Sequence, residues 1–225
     1  MMYNEHEPTD IQRVSAFPRG RLITFEGIDG SGKTTQIEKL SARLAESGIP
    51  VRVLREPGGT VIGEAIRRIL LDKAHTGMCT ETELLLFAAA RAQLVREVIL
   101  PDLEAGKWVI CDRFFDSTAA YQGFGRQLDP DTIRSLNQLA IGTCRPDLTI
   151  LLDLPVQAAL DRLVGRKNKQ DRLDHESVAF MERTRQGYRQ LALAEPDRII
   201  VMDAALQETE LAEKIYHKIR EGLAT

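Results

Sequence analysis

Gly27-Ile28-Asp29-Gly30-Ser31-Gly32-Lys33-Thr34 fits the pattern G-x-x-x-x-G-K-[ST], whose residue types bind phosphate. Glycines let the backbone wrap an anion at torsions and distances that a Cβ would block. The N–H groups of such a loop, and of the helix that starts after it, point at the anion. Lys33 is placed to reach the outer phosphates of a nucleotide and the Thr34 hydroxyl to ligate Mg²⁺, with Thr35 on the same turn. The apolar run Leu22–Phe25 leads into the loop, and Ile37, Leu40 and Leu44 follow it at helical spacing.

Two further charged stretches bear on the same chemistry. Cys111-Asp112-Arg113 closes a third apolar run. A carboxylate at a strand's carboxyl end, beside the phosphate loop, holds Mg²⁺ or its waters, and an arginine next to it implies a second anion. Arg55-Glu56-Pro57-Gly58-Gly59 follows another strand and brings a second arginine to the same edge. Two arginines and a lysine there fit a site in which two phosphorylated ligands face each other. The run Gly165–Arg172 carries four cations, Arg166, Lys167, Lys169 and Arg172. It reads equally as a solvated face or as a lid that closes arginines over a transferring phosphoryl group. Asn168-Lys169-Gln170-Asp171 matches the guanine-reading motif N-K-x-D, but a helical pattern over 156–164 precedes it instead of a buried strand.

These residues need a frame, and apolar runs alternating with helical patterns supply one. Strands are expected at Leu22–Phe25, Val51–Leu54, Trp108–Cys111, Leu148–Leu152 and Ile199–Met202. That alternation predicts an α/β fold, a five-stranded parallel sheet with helices on both faces. Gly48 and Pro50 end the first helix, Asp129-Pro130 starts another, and Pro196 stops one near Ala194. Thr80-Glu81-Thr82-Glu83 reads as a capping box before a helix over 82–104, whose run Leu84–Ala90 is apolar all round and needs cover on more than one face. Residues 1–20 read as a mobile tail, and residues 21–225 as a single domain with the lid at about 165–174.

Bulk properties narrow the classes. The net charge of −3 gives no reason to expect nucleic-acid or membrane binding. No apolar run approaches the roughly 18 residues of a membrane span. Cys79, Cys111 and Cys144 are odd in number and lack metal-ligand spacing, which fits reduced thiols in a cytoplasmic protein.

The sequence is similar to the thymidylate kinases. The resemblance runs from about Leu22 to the C-terminal helix and rests on FEGIDGSGKTTQ (25–36), REPGGT (55–60), LLFAAARAQ (85–93), DRFFDSTAAYQGFGR (112–126), RPDLTILLDL (145–154) and DRLD (171–174). It implies a fold like other P-loop nucleoside monophosphate kinases, a homodimer, ATP with Mg²⁺, and transfer of phosphate to dTMP. Position by position, Phe87 matches the ring that stacks on thymine, although packing in the core explains it as well from pattern alone. Arg91 matches the arginine that bonds the base edge, and Thr118 and Gln122 the groups that read the rest of it. Tyr121 matches the ring set against the deoxyribose. Asp29 and Glu56 match acids near the sugar 3′-hydroxyl and metal-bound water, and Arg55, Pro57, Arg67 and Arg113 the surroundings of the acceptor phosphate. The resemblance gives the ATP site Gly27 to Thr35 and Arg162, the metal Thr34 and Asp112, and the phosphoryl in flight Lys33, Arg113, Arg166 and Arg172. Part of the family has an arginine where Gly30 stands, so here the basic lid is expected to supply that charge, as in the bacterial type. Position 114 is Phe, where the family often has Tyr or His. The alternatives are a P-loop kinase for another nucleotide or nucleoside, and a non-enzymatic nucleotide switch.

Overall fold

A computed structural model describes residues 19–164 and 176–223. Strands β1 (Leu22–Glu26), β2 (Val51–Arg55), β3 (Trp108–Asp112), β4 (Leu148–Asp153) and β5 (Ile199–Asp203) form one parallel sheet in the order β2-β3-β1-β4-β5. They are the five strands expected, each longer by one residue, and every added residue is charged: Glu26, Arg55, Asp112, Asp153 and Asp203. The apolar run stops where side chains change, but ladder hydrogen bonds come from the backbone and continue. The register pairs Phe25 and Arg55 with Asp112, Glu26 with Leu151, and Asp153 with Asp203. The five charges therefore line one edge, the carboxyl end at which open parallel sheets bind ligands.

Alternation along the central strands buries both faces, as a parallel sheet requires. Ile23, Phe25, Ile110, Ile150 and Leu152 pack on one side with Ile37, Leu40 and Leu44 of α1 (Lys33–Glu46) and Leu211, Ile215 and Ile219 of α9 (Glu208–Leu223). Leu22, Val109 and Cys111 face the other way, against Leu94, Val95, Ile99 and Leu103.

Those last residues belong to the segment expected as one helix over 82–104. It is three pieces: α3 (Thr80–Leu94), a π-helical turn (Val95–Ile99) and α4 (Leu100–Glu104). Pro101 lacks an N–H and its ring crowds the carbonyl one turn back, so the wider turn precedes it. The expected capping box is absent. Cys79 takes the N-cap position without a side-chain bond to a backbone N–H of the helix, and the Glu83 carboxylate is buried against another element. The remaining helices are α2 (Val61–Leu71), α5 (Phe115–Thr118), which runs into a π-helical turn at Ala119–Gly125, α6 (Pro130–Ile141), α7 (Val156–Val164) and α8 (Val178–Ala194). Asp129 caps α6 by accepting from the Thr132 N–H at 2.8 Å. Within the stretch expected as a tail, the Gly20 N–H donates to the Leu103 carbonyl at 2.8 Å. Its other residues up to 18, and the whole stretch expected as a lid, lie outside the described residues.

The short helix α5 is pinned from beneath. Asp116, 1% exposed, accepts from both terminal nitrogens of Arg198 at 2.7 and 2.8 Å. Arg198 Nη1 also donates to Thr149 Oγ1 at 2.8 Å. Removing one partner of a buried ion pair strands the other. Arg198→Met is expected to lower the unfolding free energy by about 3–5 kcal/mol in urea titrations. A loss below about 1 kcal/mol, the range of exposed pairs, would contradict this account of how α5 is held.

Candidate active site

The phosphate loop joins β1 to α1, and two glycines set its path. At Gly27 (φ +135°) a Cβ would stand 2.5 Å from the Leu152 carbonyl oxygen, and at Gly30 (φ +85°) 2.6 Å from that of Ala159 on α7. An arginine at position 30 would not fit this path. Lys33 folds back over the loop, donating from Nζ to the carbonyls of Gly27 and Ile28 at 3.0 and 3.1 Å. Burial, together with the charge of Arg113, pushes its pKa down to about 8. The Ser31 hydroxyl is buried and has no partner among the described residues. Thr34 Oγ1 lies 3.4 Å from Asp112 Oδ2, so the two groups expected at the metal are adjacent. Thr35 is half-buried in the same first turn. Arg162 donates to the carbonyls of Gly30 (3.5 Å) and Ala204 (2.9 Å), on the far side of the loop beyond β5.

Arg113 connects this loop to the opposite wall. Its φ of +70° is unusual for a residue with a side chain, and its own N–H is fixed on the Phe25 carbonyl at 3.0 Å. Nη1 donates to the Gly27 carbonyl (3.0 Å), Ser117 Oγ (3.2 Å) and the Tyr188 hydroxyl (3.1 Å). Nη2 donates to Asp29 Oδ1 (2.9 Å) and the Tyr121 hydroxyl (3.0 Å), and that hydroxyl donates on to Asp29 Oδ2 (3.1 Å). Burial by itself would raise the Asp29 pKa, but Arg113 and Lys33 hold it well below the usual carboxylate range. Beneath them Glu26 accepts from the Phe114 N–H (2.7 Å), Ser117 Oγ (2.6 Å) and the Tyr188 hydroxyl (2.8 Å). Burial, reinforced by Asp116, raises its pKa to about 7.

The other wall is a stripe of α3. Glu83, Phe87 and Arg91 stand four residues apart and so share a face. Arg91 is 1% exposed. It donates to Glu56 Oε2 (2.8 Å), Asn137 Oδ1 (3.0 Å) and the Phe114 carbonyl (3.3 Å), which engages three of its five N–H groups. One oxygen of Glu56 is thereby committed, and burial outweighs Arg91 in raising its pKa. Opposite the stripe, the Thr118 hydroxyl is buried without a partner among the described residues. Arg55 and Arg67 converge on the Pro57 carbonyl at 3.3 and 2.9 Å, with Arg55 also paired to Glu64.

One cavity is lined by Asp29, Arg55, Glu56, Pro57, Arg67, Phe87, Arg91, Arg113, Thr118, Tyr121 and Gln122, every residue expected at an acceptor nucleotide. Gly30, Gly32, Lys33, Thr34 and Asp112 line its other end. Arg162 stands outside it, and Arg166 and Arg172 lie outside the described residues. Phe114 is fully buried and serves through its backbone. Sequence reasoning missed Glu26, Glu83, Ser117, Leu71 and Tyr188. Glu26 left a trace, a carboxylate directly after a buried strand. Tyr188 left none, since it meets Glu26 across 162 residues of chain.

A thymidylate kinase family model matches residues 25–215. The chain is 54% identical over 189 residues to a thymidylate kinase of Geobacter sulfurreducens, covering 82% of this chain and 89% of that protein. It is 50% identical over 204 residues to one of Halothermothrix orenii (90% and 97% covered) and 46% over 208 residues to one of Trichlorobacter lovleyi (90% and 98%). The chain belongs to the thymidylate kinase family.

Proposed function

We propose that this protein transfers the γ-phosphate of ATP to dTMP, giving dTDP and ADP, a step toward dTTP. The observation that carries the reading is the reach of Arg113. One guanidinium donates to the phosphate loop at Gly27 and Asp29 and to Tyr121 on the acceptor side. A group so placed serves both anions at the point where they meet.

The chemistry needs no strong general base, because the attacking oxygen belongs to a phosphate already ionised at neutral pH. Catalysis is then positioning and charge stabilisation. Lys33 binds the donor's outer phosphates, and Arg113, with Arg55 and Arg67 behind it, orients the acceptor phosphate. Mg²⁺, held by Thr34 and Asp112 together with nucleotide phosphates and water, would neutralise the charge on those phosphates. Arg162 is the candidate for the adenine side. Phe87 stacks on the base and Arg91 offers its remaining N–H groups to a base carbonyl. Tyr121 fills the space of a ribose 2′-hydroxyl. Its ring is braced edge-on by Phe180 and Tyr188, with centroids at 6.0 and 6.2 Å. The same reading places the protein in the cytoplasm.

Steady-state kcat/KM for dTMP, dUMP, dCMP and the ribo-form of TMP tests the assignment. dTMP is expected to be best. dUMP loses one methyl group, worth about 1–3 kcal/mol. dCMP falls much further, because its amino group faces the donor Arg91 and leaves buried groups mispaired. Equal activity on dCMP would remove the Arg91 role, equal activity on the ribo-form that of Tyr121, and no activity on dTMP the whole reading.

The active form we propose is a homodimer. Ile62 and Ile69 of α2, Leu85 of α3 and Leu139 of α6 are all exposed, between 43% and 72%, on helices that pack together. Of these, Leu85 lies in the apolar run of α3, and in this reading a second chain covers them. Sedimentation at micromolar concentration is expected to give twice the chain mass, the commonest closed assembly. A single-chain mass would contradict it.

A further inference from the structure

The base-reading wall contains a carboxylate to which no role has been given. Glu83 stands in the first turn of α3, 2% exposed, one turn before Phe87 and two before Arg91. Its Oε1 accepts from Gln122 Nε2 at 2.9 Å and from Arg126 Nε at 3.2 Å, and its Oε2 from Arg126 Nη2 at 3.3 Å. Arg126 in turn reaches Glu176. A buried carboxylate normally demands such a partner, and one paired with a guanidinium acts as an acceptor of hydrogen bonds.

That has a consequence for Gln122. A glutamine side chain presents an acceptor on one branch of its amide and a donor on the other, and the two are nearly the same shape. Left alone, the amide could offer either group to a ligand by turning over. A carboxylate beside it removes the choice, because only the NH₂ branch can bond there. The oxygen branch is then what Gln122, itself 3% exposed, has left for the cavity it lines.

We infer that Glu83 is a specificity-determining positioning residue: by holding the amide nitrogen of Gln122, it fixes a hydrogen-bond acceptor toward the base and so selects a pyrimidine with a protonated N3. Thymine and uracil carry that N3–H, whereas neutral cytosine has a bare acceptor nitrogen at the same place. With Arg91 offering donors and Gln122 an acceptor, the wall presents the complement of a thymine edge. The inference rests on the reading of dTMP as acceptor, and adds to it the element that prevents the reading groups from inverting.

The test is Glu83→Gln, which keeps the shape but places an amide where the carboxylate was, so that the Gln122 amide is free to turn. In wild type, kcat/KM on dTMP tests the acceptor assignment independently. In the variant, the ratio of kcat/KM for dTMP to that for dCMP is expected to fall about tenfold or more, mainly through a higher KM for dTMP, while the ratio of dTMP to dUMP stays the same. A residue needed only to hold α3 in place would lower all three substrates by one common factor, and that result, or an unchanged dTMP to dCMP ratio, would overturn the inference. Glu83→Asp, which withdraws the carboxylate by one methylene, is measured alongside and read by the same ratio should the glutamine variant not fold.

Discussion

The guanidinium of Arg113 has more of the molecule hanging on it than any other group in the cavity. It can be where it is only because β1 and β3 are neighbours, so that the Arg113 N–H closes on the Phe25 carbonyl and the chain turns through a left-handed conformation at the end of the sheet. From there the side chain meets acceptors from the phosphate loop, α5, the π-helical turn and α8. Fixed donors of this kind cost nothing to reorganise at the moment of reaction, which is where most electrostatic catalysis comes from. The surrounding hydroxyls matter for the same reason. Tyr121, Tyr188 and Ser117 carry no charge of their own, yet they tie Arg113 to the carboxylates of Asp29 and Glu26 and leave it one position to occupy.

The same economy governs the base side. Buried polar groups are tolerable when every hydrogen-bonding direction has a partner, and costly otherwise. Arg91 is buried with Glu56 and Asn137 as partners, Glu83 with Gln122 and Arg126, and Asp116 with Arg198. The Thr118 hydroxyl, one oxygen of Glu56 and the Ser31 hydroxyl are buried without partners among the described residues. All three belong to the loop or the cavity wall, whereas Gln36 Oε1 and Asp102 Oδ2, also without a hydrogen bond among the described residues, lie outside it. Of the two π-helical turns, only the second bears on that arrangement. One yields to Pro101, and the other sets Tyr121 and Gln122 on the cavity side while α8 packs closely behind at Gly125 and Gly187. Such turns are rare in general and gather at functional sites.

Much of this was legible in the chain. The five strands, their parallel pairing and the phosphate loop follow from apolar periodicity and a motif with its proper flanks. The limits were physical. Periodicity reports side-chain burial, so it lost the charged residue that ends each strand, and two of those residues, Arg55 and Asp112, line the cavity. Thr80–Glu83 satisfied a local helix-start pattern, but a long-range bond to Gln122 took the Glu83 carboxylate instead. Phe87 could not be told from a core residue by spacing alone; it lines the cavity, half-buried. The partnership of Glu26, Ser117 and Tyr188 is made entirely by folding and leaves no adjacent pattern to read.

The central claim is that Arg113 meets the acceptor through its phosphate. Calorimetric titration of dTMP and of thymidine into wild type and Arg113→Met tests this directly. The account predicts that the variant binds dTMP at least about 30-fold more weakly, the scale on which a desolvated charge contact is lost, while thymidine affinity changes by no more than about threefold. Equal weakening of both ligands would mean that Arg113 only braces the walls, and would contradict the account.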